Sequence, residues 1–228
     1  MSMIGRVQRS LRQRGIGGTV ARGVVAAVRP LLLAVRQARS RRRARQLSAA
    51  GGTLRLHLGS GPERLPGWVN VDLYFPAELC LDLRAPLPLP DDSVDAIYSQ
   101  HFLEHLDHEG GIRLIRECAR VLKPGGWVRF CTPDLENHAR AYLEGRLTAE
   151  QFNSALRDHD HLYLYDEAEL GALLAAAGLV DVRRTEPKAS ACPLLANLET
   201  RLPEAGAPGD LILEARKPPS GSSAGATP

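Results

Sequence analysis

Two glycines and two carboxylates stand where short apolar runs of this sequence end. Leucines alternate with polar residues over 54–58, which predicts a strand, and Gly59-Ser60-Gly61 follows at once. Because glycine has no Cβ, this turn lets the backbone approach a ligand closely. A second predicted strand, 68–71, leads into Asp72, and a third, 79–83, contains Asp82. A glycine turn after one strand and an acid after the next is how open α/β sheets bind a nucleoside ribose.

A second group of residues able to do chemistry lies at 101–105. His101, Glu104 and His105 are spaced i, i+3 and i+4, so on a helix they would share one face. An imidazole with a pKa of about 6.5 can accept a hydroxyl proton at neutral pH, which makes His101, and after it His105, a candidate general base. The same spacing matches the His-x-x-Glu-His zinc motif of inverzincin peptidases, so a peptidase is one alternative.

The elements that must position these residues alternate between strands and helices. The apolar spacing predicts a strand at 94–99, a helix at 112–122, a strand at 127–131, a helix at 166–178, and strands at 180–182 and 211–215. Lys123-Pro124-Gly125-Gly126 is a helix stop signal before the strand at 127. The alternation indicates an α/β fold.

Three motifs, in this order, resemble the class I S-adenosylmethionine-dependent methyltransferases, and most closely a small bacterial type-11-like branch. They are the LGSG and GWVNVD letters of 58–72, the DAIYSQHFLEH letters of 95–105, and the RVLKPGG letters of 120–126. The likeness covers roughly residues 53–218. It implies a Rossmann-like, seven-stranded, mostly parallel sheet, flanked by helices and completed by a C-terminal antiparallel hairpin.

The resemblance also implies site residues and a cofactor, S-adenosylmethionine. Gly59, Ser60 and Gly61 would face the methionine part of the cofactor, Asp72 would accept hydrogen bonds from both ribose hydroxyls, and Asp82 with Leu83 would border the adenine. The full set of predicted cofactor-binding residues is His57, Gly59, Ser60, Gly61, Asp72, Leu73, Asp82, Leu83 and Ser99. His57 occupies a position that is acidic in the widest form of the first motif. His101 and His105 would lie beside the transferred methyl group.

A metal site is an alternative for the second group. Some methyltransferases of this fold, including the small-RNA 2′-O-methyltransferases, bind a divalent metal through Glu-x-x-Glu-His and a later histidine. Here His101 replaces the first glutamate and His161 lies downstream. Three imidazoles and one carboxylate can bind zinc or another transition metal. We predict no metal ligands, with His105 packing at a helix start and His101 facing cofactor or substrate.

Charge divides the chain into two parts. Residues 1–50 hold twelve of the 29 basic residues, all arginine, and none of the 26 acidic ones. We predict a basic, partly helical N-terminal arm at 1–52 with a break at Pro30, a methyltransferase domain at 53–218, and a disordered tail at 219–228. The arm could be a solvated extension, an interfacial helix on anionic lipid, or a nucleic-acid contact. The last is disfavoured because 1–50 contains no aromatic side chain for base stacking.

Cysteine usage and hydropathy indicate the cellular compartment in which we expect this protein. The four cysteines form no C-x-x-C pair, which predicts buried thiols. No apolar run approaches the roughly 18 residues of a membrane span. We expect a cytoplasmic protein, with peripheral contact to an anionic membrane through 1–50 as one interpretation of the arm.

The function predicted from these residues is S-adenosylmethionine-dependent O-methylation of a small molecule or glycan precursor. One alternative is a methyltransferase of RNA or protein recruited by the arm. Another is a catalytically silent S-adenosylmethionine-binding protein. The sequence gives no indication of the oligomeric state.

Overall fold

The computed structural model describes residues 17–157, 160–201 and 207–221, so the predicted arm and tail lie partly outside the described residues. The helices are α1 (Gly17–Ala49), α2 (His108–Val121), α3 (Leu135–Leu143), α4 (Ala149–Arg157) and α5 (Glu167–Ala176). Short 3₁₀ turns span Leu103–His105 and Pro193–Leu195. The strands are β1 (Arg55–Leu58), β2 (Val69–Val71), β3 (Val94–Gln100), β4 (Leu122–Pro133), β5 (Val180–Arg184) and β6 (Asp210–Arg216).

The strands form one sheet in the order β2-β1-β3-β4-β6-β5. Strands β1 to β4 pair in parallel, and β6 runs antiparallel to both β4 and β5. Residues 185–209 form the long connection between β5 and β6. The predicted α/β class with a mostly parallel sheet is confirmed.

The prediction of seven strands is wrong for the described residues, which form six. The segment predicted as a strand at 79–83 makes only one bridge, between Leu79 and Val71. A turn follows directly, in which the Ala85 amide donates to the Asp82 carbonyl at 3.1 Å. The next residues include Pro86 and other prolines, which have no N–H to donate to a ladder. The segment therefore lies beside β2 without extending the sheet.

Parallel pairing brings the predicted chemistry to one edge of the sheet. Gly59 follows β1, Asp72 follows β2, His101 follows β3 and Asp134 follows β4, so all four lie at the carboxyl ends of their strands. Because β6 is antiparallel, its first residue, Asp210, lies at this same edge, paired with Pro133. Ligands of open α/β sheets bind outside this edge.

The core lies between the sheet and the helices. Leu56 of β1 and Ile97 of β3 are buried in one apolar cluster with Ile115 and Cys118 of α2, which confirms the helical spacing predicted there. Asp107 caps α2 by accepting a hydrogen bond from the Gly110 amide, and the helix ends at Val121, before the predicted stop signal. All four cysteines are buried and unpaired, as predicted.

The N-terminal helix continues through Pro30, so the break predicted there is wrong. A proline inside a helix removes one backbone hydrogen bond, which can kink the helix without ending it. The last turns of α1 pack on the domain: Ala44 is fully buried, and the Ser40 hydroxyl accepts a hydrogen bond from the Cys80 amide at 2.8 Å. These turns therefore form part of the domain surface rather than a free arm.

Earlier turns of α1 carry exposed apolar side chains, among them Leu31 and Leu32, with Arg36 and Arg39 nearby. None of the helices in the described part of the chain combines the length and the apolar character that crossing a membrane requires. Contact of the arm with an anionic membrane surface stays a prediction.

A buried arginine fastens the 185–209 connection to the sheet. Arg129 of β4 is fully buried and pairs with two buried carboxylates, Glu214 of β6 at 2.7 Å and Glu199 of the connection at 2.6 Å. Its Nη1 and Nη2 also donate to the carbonyls of Ala189 and Glu186, at 2.5 and 3.2 Å. One guanidinium thus holds residues 186, 189 and 199 of the connection against the middle of the sheet.

Removal of this guanidinium is expected to be costly. Arg129→Met leaves two buried carboxylates without a counter-charge, which destabilises a protein by about 3–5 kcal/mol. Urea unfolding measures the change. Arg140→Met is the matched control because Arg140 pairs with Glu136 on an exposed face, where a salt bridge contributes about 0–1 kcal/mol. Equal losses for the two variants would contradict the role given to Arg129.

Candidate functional site

A first cavity of about 220 Å³ opens at the carboxyl ends of β1 and β2. Five of the predicted cofactor-binding residues line it, namely Gly59, Asp72, Leu73, Asp82 and Leu83. Phe102 and His105 close it from the side of β3. The structure therefore brings five of the nine predicted residues together at one cavity, and their role in cofactor binding stays a prediction.

The glycine turn has the backbone that its composition predicts. Gly59 and Gly61 have φ values of +65° and +57°, in the left-handed region that glycine adopts without steric cost. A Cβ at Gly59 would overlap the ring of Phe102, whereas a Cβ at Gly61 would lie 3.9 Å from Nη2 of Arg201, an ordinary van der Waals distance. Close packing requires glycine at 59, and backbone conformation alone favours it at 61.

Asp72 is largely engaged by the backbone around it. Its Oδ1 accepts from the amides of Tyr74 and Phe75, at 2.7 and 2.8 Å, and its Oδ2 accepts from the Gly61 amide at 2.9 Å. A carboxylate has about four lone-pair sites. One site remains, on Oδ2, so this arrangement has room for one of the two ribose contacts implied by the resemblance.

Asp82 lines the same cavity with a different partner. Arg84 donates to both of its oxygens, from Nε at 2.9 Å and from Nη2 at 2.7 Å. These hydrogen bonds lower the pKa of the Asp82 carboxyl, which is therefore ionised at neutral pH. An ion pair with Arg84 alone would account for its position as well as a ligand would.

The other four predicted cofactor residues do not line the first cavity. His57 is buried, with Nδ1 3.0 Å from Oδ1 of Asn70 and its ring 5.3 Å from that of Tyr98. Burial lowers the pKa of His57, so its imidazole is neutral at neutral pH. Ser60 and Ser99 are buried, and within the described ranges neither hydroxyl has a hydrogen-bond partner.

A second cavity of about 410 Å³ adjoins the first. Its lining includes His101, Glu104, His105, Arg201 and Asp210. His105 lines both cavities, so the two meet at its ring. Asp210 and Arg201 were not predicted, because their approach to this edge depends on β6 and the 185–209 connection.

His101 lines this second cavity, but the helix that would place it on one face with Glu104 and His105 does not form. The φ of +51° at His101 puts this residue in the left-handed region, and only the short turn Leu103–His105 follows. Its Nδ1 lies 3.3 Å from Oε1 of Glu104, and its Nε2 lies 3.3 Å from Oδ2 of Asp210. Burial lowers the pKa of His101, but the two carboxylates outweigh burial and raise it to about 9. In this arrangement His101 carries its proton at neutral pH and cannot accept another.

Glu104, His105 and His161 are three of the four residues of the metal alternative, and the fourth, His101, instead groups with Cys131 and Asp210. The donor atoms of the first three all lie within 4.8 Å of one another, and Nε2 of His161 is 3.9 Å from Oε1 of the fully buried Glu104. Thr132 donates to the other oxygen of Glu104 at 3.0 Å. A tetrahedral metal with bonds of about 2 Å needs its ligand atoms about 3.4 Å apart. The cluster could therefore hold a transition metal only after contraction.

Comparison with known proteins supports the family resemblance. Residues 68–130 match a family model described as a methyltransferase domain. A ubiquinone biosynthesis O-methyltransferase of Chromobacterium violaceum is 34% identical over 100 residues, which cover 43% of this chain and 40% of that protein. A demethylmenaquinone methyltransferase of Mycolicibacterium vanbaalenii is 35% identical over 111 residues, covering 42% of this chain and 47% of that protein. These matches confirm the resemblance to S-adenosylmethionine-dependent methyltransferases predicted from the sequence.

The extent of these matches is limited. The chain spans less than half the length of the curated relatives named here. The matched segment 68–130 contains Asp72, Asp82, His101 and His105, and it does not include the Gly59–Gly61 turn. A solved S-adenosylmethionine-dependent methyltransferase of Mesorhizobium loti is 22% identical, with a TM-score of 0.47 over 75% of this chain and 96% of that one.

The two glycines of the turn should respond differently to alanine. Gly61→Ala places a Cβ at an ordinary contact distance from Arg201 and costs about 1 kcal/mol for its backbone conformation. Gly59→Ala adds overlap with the Phe102 ring, for a total of about 2–4 kcal/mol. Urea unfolding of both variants checks the difference. Recovery of part of the loss in Gly59→Ala combined with Phe102→Ala supports the packing explanation, and equal losses for the two single variants would contradict it.

Elemental analysis of protein purified without an affinity tag separates the metal alternative from simple packing. We expect no stoichiometric transition metal, because His101 and His161 already face the Glu104 carboxylate at ion-pair distances. The opposite result is one equivalent of metal that is lost in His161→Ala and kept in His138→Ala. His138 is the matched control because it lines the same cavity outside the cluster.

Proposed function

We propose that this chain is an S-adenosylmethionine-dependent methyltransferase that binds its cofactor in the first cavity and its acceptor in the second. The observation that carries the proposal is the position of His105, which lines both cavities. Two ligands that share one wall can bring a methyl group and an attacking atom together. The methyltransferase-domain match over 68–130 supports the same activity.

The residues of the first cavity fit the cofactor. S-adenosylmethionine supplies a methyl group on a sulfonium leaving group, so the protein mainly needs to hold the two reactants in line. Asp72 would accept a ribose hydroxyl on Oδ2, and Leu73 and Leu83 offer apolar surface to an adenine. The Ser60 and Ser99 hydroxyls lie outside the lining of the first cavity, but they have no hydrogen-bond partner in the described part of the chain, which supports a polar ligand close to the turn. His57 and Gly61 are the remaining two of the nine residues predicted to bind the cofactor.

We assign His101 and His105 to the reacting end of the acceptor. His105 lies where the cavities meet, with its Nδ1 3.3 Å from the Asp160 carbonyl oxygen. Since His101 holds its proton at neutral pH, His105 is the better proton acceptor in this arrangement. His101 instead offers a positive charge between Glu104 and Asp210, which would orient a polar acceptor.

A small-molecule acceptor suits the second cavity. Its volume of about 410 Å³ falls in the range of small-ligand pockets. Two similar proteins are named for methylation in ubiquinone biosynthesis and of demethylmenaquinone. We therefore propose O-methylation of a small molecule, with a glycan precursor as the second acceptor class.

Cofactor binding is the first test, and it uses S-adenosylhomocysteine, the demethylated product, in titration calorimetry. Asp72→Asn removes a charged acceptor at the ribose, which should weaken binding by about 10- to 100-fold, because hydrogen bonds to charged groups contribute about 1.5–3 kcal/mol. Asp82→Asn is the matched control: Arg84 already occupies that carboxylate, so a loss below about tenfold is expected.

The outcomes of this titration are distinct. A wild-type chain that binds neither S-adenosylmethionine nor its product would rule out the proposed activity. Binding without methyl transfer to any extracted small molecule would favour the silent binder. Circular dichroism of both variants establishes that a change in affinity is not a loss of folding.

A further inference from the structure

Arg201 is an exposed residue at the border of the second cavity. No carboxylate in the described ranges lies within ion-pair distance of its guanidinium, whereas Arg84, at the first cavity, is paired with Asp82. Arg201 lines the second cavity. A permanent positive charge at a cavity wall, unpaired within the described chain, is suited to an anionic ligand group.

The backbone of Arg201 is tied to the end of β3. Gln100 is buried, and its Nε2 donates to the Arg201 carbonyl at 2.5 Å. Its Oε1 accepts from the Thr200 amide at 3.2 Å and from the Tyr98 hydroxyl at 3.1 Å. Two residues earlier, Glu199 is fixed to Arg129. These contacts position the guanidinium at this border.

The guanidinium lies against the glycine turn. Nη2 of Arg201 is 3.9 Å from the position that a Cβ of Gly61 would take, so the bare turn leaves it space. The charge of Arg201 also acts on the buried His57. Burial is the main cause of the lowered pKa of His57, and the charge of Arg201 lowers this pKa further. A positive charge thus stands next to the turn at which the cofactor's amino-acid part is proposed to bind.

We infer that Arg201 binds the carboxylate of the cofactor's methionine portion. The inference rests on the proposed function, since it requires the cofactor to bind with that portion at the glycine turn. A guanidinium can donate two parallel hydrogen bonds to one carboxylate, which gives both energy and orientation. Anchoring the far end of the methionine would direct the sulfonium methyl towards His105 and the second cavity.

Two ligands that differ in the amino-acid part separate this role from general shaping of the site. S-adenosylhomocysteine has the carboxylate, and 5′-methylthioadenosine is a nucleoside thioether that lacks it. Calorimetry gives the affinity of both for the wild-type chain, Arg201→Met and Arg201→Lys. Arg116→Met is the matched control, because it removes the same charge from an exposed position on α2.

Arg201→Met should weaken S-adenosylhomocysteine about 10- to 100-fold and change 5′-methylthioadenosine less than about twofold. Arg201→Lys keeps the charge without the planar fork and should fall in between. Arg116→Met should leave both affinities unchanged.

An equal loss for both ligands in Arg201→Met would overturn the inference, and so would unchanged binding of S-adenosylhomocysteine. Either result leaves the proposed function intact, because the wild-type chain still binds the nucleoside. A wild-type chain that binds neither ligand overturns the inference together with the proposed function.

Discussion

The buried pairing of Arg129 with Glu199 and Glu214 is the constraint on which the second cavity depends. The three side chains come from β4, the 185–209 connection and β6, and Arg129 and Glu214 face each other in register. A buried charge is tolerated only when it is paired and hydrogen-bonded. The connection therefore cannot leave the sheet without exposing or orphaning three charges. The stretch from Glu199 to Arg201 is held at the carboxyl edge as a consequence.

Charges in the candidate site are mostly compensated before any ligand binds. Asp72 accepts three backbone hydrogen bonds, Asp82 is paired with Arg84, and His101 lies between Glu104 and Asp210. Such a site is preorganised, because the groups that would contact a ligand are already held by the protein. Methyl transfer from a sulfonium mainly needs positioning, so a site with few free charges suits it.

The sequence predicted the elements whose side-chain period is strong and local. The strand before Gly59, the helix from Ile112 and the carboxylate at Asp72 follow from alternation, helical spacing and turn chemistry. The segment at 79–83 failed because strand-like residues alone do not supply a ladder partner. The shared helix face considered for His101, Glu104 and His105 does not form, because His101 has a left-handed backbone and only a short 3₁₀ turn follows it. No local feature of the sequence indicates that conformation.

Residues that enter the site from distant parts of the chain were missed for another reason. Asp210 lies at the carboxyl edge because β6 runs antiparallel to β4. Arg201 lies there because the neighbouring Glu199 is paired with the buried Arg129. Two charged residues interrupt apolar runs of the sequence: Arg129 in the predicted strand at 127–131 and Glu214 in the predicted strand at 211–215. Pairing those strands in antiparallel register would have put Arg129 opposite Glu214, and that was the available signal.

The stretch of chain from His101 to His105 contributes side chains to both cavities. His101 has a left-handed backbone conformation and lines the second cavity. The next residue, Phe102, lines the first cavity and packs on Gly59. His105, at the end of the following turn, borders both. Because L-residues such as histidine adopt the left-handed conformation at a cost, it persists only while the surrounding contacts hold it. The contacts of His101 with Glu104 and Asp210, and the packing of Phe102 on Gly59, therefore maintain the short stretch of chain that lines both cavities.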